Sequence, residues 1–140
     1  MGWLGWALAS AVFAALTAIL AKVGVAGVDS NLATAVRTCV VLVFTWLMVW
    51  LNPSAGGLHA LTSRNWLFLV LSGFATGLSW LCYFRALQLG PASRVAPIDK
   101  LSVALVIVLA TLVLGERMSV AKGVGGLLIV AGAIVIALEH

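Results

Sequence analysis

Charge is scarce in this sequence. Of 140 residues, eight are Lys or Arg and four are Asp or Glu, and charged residues make up only 9% of the chain. With 64% hydrophobic residues and a mean hydropathy of +1.20, it would expose far too much apolar surface as a soluble domain. The two cysteines, Cys39 and Cys82, both fall inside apolar runs, where a thiol packs as a small hydrophobe, so both are read as reduced and structural. No Cys/His ligand spacing is present and His59 stands alone in a loop, so neither a metal site nor a cofactor is expected, and no nucleic-acid partner.

What the chain does have is long apolar runs. Five stretches, residues 3–25, 32–51, 66–89, 95–114 and 120–138, each approach the ~20 residues a helix needs to cross a bilayer. The expected fold is an all-α integral membrane protein with five transmembrane helices, forming one membrane domain over residues 1–138. Residues 139–140, Glu139 and His140, look like the start of a vector-encoded histidine tag and are set aside. The first ten residues carry no Lys or Arg and lack a convincing cleavage site, so the first span is expected to be retained. The helices use most of the chain, which leaves no room for a soluble catalytic or binding domain and puts function among the spans.

Five is odd, so the two chain ends face opposite sides of the membrane. A second copy could then run inverted beside the first, the arrangement from which many alternating-access transporters are built. The loops are short, and the longest, between the second and third spans, is punctuated by Asn52-Pro53-Ser54-Ala55-Gly56-Gly57. One face carries Lys22, Arg85, Arg94 and Lys100, with Arg37 deeper; the other carries Arg64, Arg117 and Lys122. The excess points to an outside amino end and an inside carboxyl end, and its small size allows insertion in both orientations. Trp3, Trp6, Trp50 and Trp66 fall at span ends, where an amphipathic ring favours the headgroup level. Small residues recur at helical spacing: Ala7, Ala11, Ala14 and Ala18 in the first span, Gly73 and Gly77 in the third, and Ala121, Gly125 and Gly132 in the fifth. Such stripes let backbones approach closely, within the chain or across a dimer contact.

Polar residues enter the membrane at a few places. The uninterrupted apolar core of the fourth span runs only over residues 103–114, preceded by Pro91, Pro97, Asp99, Lys100 and Ser102. A short, Pro-interrupted segment points to a transporter binding region, because freed backbone groups survive at depth only where they line a cavity. Pro97 suits the first turn of a helix, with Asp99 in that turn near the positive end of the dipole and Lys100 snorkelling to the headgroups. The other reading is that Asp99 or Lys100 faces an aqueous path and exchanges a proton or a substrate charge. In the third span Ser72, Thr76, Ser79, Trp80 and Tyr83 fall within a sector of roughly 100°. They form either interhelical hydrogen bonds and aromatic packing or the lining a small organic substrate would meet. Arg37 and Lys22 either snorkel or line the same cavity, where their charge would favour carboxylates or zwitterions over organic cations. Ser119 and Lys122 match a serine/lysine catalytic spacing but lack its companion motifs. No catalytic residue is assigned, and Ser119 reads as an N-cap, with Gly115 ending the helix before it.

The second half carries a recognisable order of motifs. Leu87-Gln-Leu-Gly-Pro-Ala-Ser-Arg-Val-Ala-Pro97, then Leu114-Gly-Glu-Arg117, then Gly125-Gly-Leu-Leu-Ile-Val-Ala-Gly132 together resemble the EamA domain of the drug/metabolite transporter superfamily, in its small five-helix, single-repeat bacterial and archaeal form. The resemblance implies one of two inverted units, ten helices in all, moving amino acids, other metabolites or drugs. Related small multidrug transporters depend on a glutamate in the first helix; the first span here has no acid, so their proton exchange does not carry over. The charged pair Asp99-Lys100 also stands where many two-repeat members are apolar. The expectation is therefore a multi-pass inner (plasma) membrane transporter subunit that contacts lipid and moves a small amino acid-like or drug-like molecule by alternating access. Its partner is an antiparallel second copy or a related half-transporter. A lipid-linked sugar flippase subunit, suggested by the superfamily, and a non-transporting scaffold or regulator are the alternatives.

Overall fold

The computed structural model of the chain describes residues 2–52 and 60–139. The turn residues 53–57, His59 and His140 lie outside the described residues. The helices are α1 (Trp3–Gly24), α2 (Ser30–Leu51), α3 (Ser63–Leu89), α4 (Ala92–Asp99), α5 (Leu101–Val113) and α6 (Val120–Leu138). Five stretches are long and apolar enough to cross a membrane, with α4 and α5 together making the fourth, Ala92–Val113. Between 0% and 11% of each apolar window is buried inside the chain. Large apolar side chains face outward along every span, as expected where lipid rather than water is the solvent.

Helix ends follow local chemistry. The Asp29 carboxylate accepts the backbone N–H groups of Asn31 (2.9 Å) and Leu32 (3.0 Å), starting α2 two residues earlier than apolarity alone suggests. Ser119 accepts the N–H of Lys122 at 3.2 Å and so caps α6. That hydroxyl serves the helix end, and the Lys122 amine pairs with Glu116 at 3.0 Å. Gly115, at φ +68°, turns the chain out of α5 in the left-handed region that glycine enters without a Cβ penalty.

The chain divides into two compact units. One comprises residues 1–20 and 89–140, the other residues 21–88. In the first, α6 packs against both α4 and α5. The small-residue contact on α6 is shifted by one residue from the expected stripe: Gly126 and Ala133 are buried, and a Cβ on Gly126 would meet Ile107 Cδ1 at 3.4 Å. Gly125 and Gly132 have no such neighbour within 4 Å, and neither do Gly73 and Gly77. Ala18 is buried, whereas Ala11 and Ala14 are exposed. In the second unit the buried residues are Val25, Ser30, Thr34, Phe84 and Leu87, all toward the α1–α2 turn. Cys39 and Cys82 are free and exposed on their helices rather than packed inside.

The fourth span departs from expectation in one respect. The helix begins at Ala92 behind Pro91, and Pro97 lies inside α4 rather than in a first turn. Proline has no N–H to give the Ser93 carbonyl and crowds it, and α4 stops two residues later. Lys100 bridges the break: its N–H reaches the Ala96 and Pro97 carbonyls at 3.3 and 3.1 Å, and its own carbonyl accepts the Val103 N–H at 3.0 Å. Asp99 therefore closes α4 instead of opening a helix. It sits at the negative end of one helix dipole and just ahead of the positive end of the next.

Candidate functional site

The polar face of α2 is set by its cap. From Ser30, helical spacing brings Thr34 and Arg37 to the same side; Ser30 and Thr34 are buried at 5% exposure and Arg37 is half-buried. Thr34 and Thr38 return their hydroxyls to the Ser30 and Thr34 carbonyls, each at 2.8 Å, which satisfies them within their own helix. On α3, Trp80 and Phe84 are one turn apart. The Arg37 guanidinium carbon lies 4.3 Å from the centre of the Trp80 ring and 5.3 Å from that of Phe84, inside the range of cation–π attraction. Tyr83, half-buried next to them, also interacts electrostatically with Arg37.

This is how a cation is held in a span without an acid. The ion pairs among the described residues are Asp99–Lys100 and Glu116–Lys122, and Arg37 belongs to neither. A guanidinium spreads its charge over a plane and is weakly hydrated, so aromatic faces can hold it where an ammonium would need a carboxylate. A guanidinium stacked by its face keeps its edge donors for bidentate bonding to a carboxylate.

The rest of the α3 stripe is placed differently. Ser72, Thr76 and Ser79 are exposed, and the Thr76 hydroxyl donates to the Ser72 carbonyl at 2.9 Å rather than to another helix. The opposite face of α3 carries a groove of about 420 Å³ along Val70, Gly73, Phe74, Gly77, Leu78 and Leu81. In the other unit, Lys100 Nζ and Asp99 Oδ2 form an exposed ion pair at 3.1 Å, and Ser102 is exposed beside the break. The structure thus joins Arg37, Trp80 and Tyr83 in one cluster. It joins Asp99 and Lys100 in another, and leaves Ser72, Thr76 and Ser102 on open helix surface. No group of three or more His, Cys, Asp or Glu side chains forms among the described residues.

Sequence reading missed Phe84, which shares the ring contact with Arg37, although its place one turn after Trp80 was the available signal. It also missed Gln88, whose side-chain amide donates to the Val28 carbonyl, and it left Lys22 undecided; its amine reaches the Leu87 carbonyl at 2.5 Å.

With five spans and little burial within the chain, this is a multi-pass membrane protein. It belongs to the EamA-like transporter family, which matches over residues 1–138. It is 50% identical over 140 residues to a Sinorhizobium sp. protein named "Uncharacterized transporter in cobO 3'region", with 96% of each chain covered. No solved structure matches the chain.

Proposed function

We propose that this transporter is one half of an antiparallel dimer, formed with a second copy or a related half, in the inner (plasma) membrane. Residues 1–138 serve as one five-helix membrane domain that carries a small amino acid-like or drug-like metabolite by alternating access. The observation that carries this reading is Arg37, a cation within α2 held on the Trp80 and Phe84 rings. A charged group inside a span is costly and marks a substrate or ion path. Its positive charge, with the Trp80 and Tyr83 faces, favours a solute bearing a carboxylate beside an apolar body. Ser72 and Thr76 in the same unit, and Asp99, Lys100 and Ser102 in the other, are further residues proposed for the substrate path, each tested by its own substitution.

Transport in proteoliposomes, with solutes first selected by thermal shift of the purified protein, tests the reading. Arg37→Gln should lower uptake of carboxylate solutes at least tenfold, while Arg37→Lys keeps part of it because the charge remains and the stacking plane is lost. Equal uptake by all three proteins would discard Arg37 as a path residue. Movement of a lipid-linked sugar where no soluble solute moves would replace the metabolite reading with a flippase.

A further inference from the structure

A second cluster lies at the end of the residue 21–88 unit, with Arg37 outside its lining. The end of α1, the turn into α2 and the last turns of α3 border an open pocket of about 370 Å³, lined by Lys22, Arg85 and Gln88 with Val25, Gly27 and Leu87. Two bases line it and no acid does. Asp29, the nearest acid in sequence, lies outside the lining and gives a carboxylate oxygen to the first N–H groups of α2.

The groups are positioned by one another. Lys22 donates to the Leu87 carbonyl, so much of its charge answers the negative end of α3. The Gln88 amide is anchored on the Val28 carbonyl, and its oxygen accepts from Arg85 Nη1 at 3.0 Å. Arg85 is thereby steered to the pocket with a single nitrogen committed, while the rest of its fork has the planar shape that suits phosphate oxygens. Gly27, at φ +74°, carries the turn past the pocket with no side chain of its own. Lys22 and Arg85 belong to the face richer in bases, where the phosphate groups of anionic lipid headgroups are attracted.

We propose that this pocket binds a phosphate group, through Arg85 with Lys22 behind it, taken from an anionic phospholipid headgroup or from a water-borne phosphate monoester at that face. Arg37 is not among the lining residues, so the phosphate test can fail without touching the transport reading. In the bilayer it would tie the α1–α2 turn to the end of α3.

The test uses the full chain in dodecyl maltoside micelles. Thermal unfolding is followed by circular dichroism against added dioleoylphosphatidylglycerol, dioleoylphosphatidylcholine or glycerol 1-phosphate. A saturable rise in melting temperature is expected with a phosphate-bearing anion and not with the zwitterionic lipid. A rise with phosphatidylglycerol alone supports the headgroup, and an equal rise with glycerol 1-phosphate supports the dissolved source. Arg85→Gln should weaken the apparent affinity by roughly fivefold, the worth of one basic contact at a membrane surface. Arg85→Lys should fall between, and Arg64→Gln, which removes a base from the opposite face, should leave it unchanged. If Arg85→Gln folds poorly, comparison of Arg85→Lys with Arg64→Gln decides. The proposal is overturned if neither anion gives a saturable rise, or if the Arg64 variant loses as much as the Arg85 variants.

Discussion

At the residue scale, the chain carries few charges, and several are held by local partners. Arg37 rests on aromatic rings, Lys22 on a helix-end carbonyl, and Asp99 on the neighbouring Lys100. Asp99 is the acid whose role transport can test directly. Asp99→Asn keeps the side chain's size, and the exposed pair it breaks adds little stability. We expect near-unchanged folding with transport abolished or shifted in pH dependence; a wild-type pH profile in proteoliposomes would remove Asp99 from any coupling role. Asp29 has a different task. Asp29→Ala removes the acceptor for two N–H groups at the start of α2 and should cost about 1 kcal/mol, read as a lower thermal midpoint. Because the same carboxylate lies outside the phosphate pocket, its loss should leave phosphate affinity intact.

At the element scale, helix ends were legible and helix faces were not. Gly115 and Ser119 announce their roles through local chemistry, a left-handed turn and an N-cap, and both stand where expected. Pro97 was legible as an interruption but not in its position, because a proline reads equally well as the start of a helix or as a break inside one. The structure chooses the break, since Pro91 begins α4 six residues earlier. Pro97→Ala restores the N–H that the Ser93 carbonyl lacks and should make α4 and α5 more continuous. The gain in stability has an upper limit of ~3 kcal/mol, the penalty of an interior proline. If the break lines the route, the same variant slows transport. A faster or unchanged rate in the stabilised protein would show that the break is incidental.

At the scale of the whole molecule, the odd span count and the near balance of loop bases bear on assembly. Arg94→Gln with Ser63→Lys and Asn65→Lys leaves three bases, four with Arg37, against five, and Arg117→Gln with Lys122→Gln leaves four, five with Arg37, against one, so the two variants should be biased toward opposite orientations. For an antiparallel homodimer, each alone should transport poorly and co-expression should restore uptake, with reporters at the chain ends confirming the orientations. Full uptake by either variant alone would argue against that dimer. Gly77→Ile supplies a second check. A Cβ there meets nothing within 4 Å among the described residues, so the monomer is expected to keep its thermal midpoint, while a contact that uses the Gly73–Gly77 groove would be weakened in cross-linking of the reconstituted protein.

The amino-acid sequence alone determined the five spans, their approximate limits, the caps at Ser119 and Gly115, and the family order of motifs across residues 87–132. These are local properties, because in lipid a run of apolar residues must close its own backbone hydrogen bonds as a helix. Tertiary structure decided which faces meet: Arg37 over Trp80 and Phe84, Lys22 on the Leu87 carbonyl, and Gly126 instead of Gly125 against Ile107. Hydrophobicity could not reveal those pairings. A bilayer is as apolar as the side chains it surrounds, so the face turned to lipid and the face turned to a neighbouring helix carry the same residues, and packing geometry alone distinguishes them.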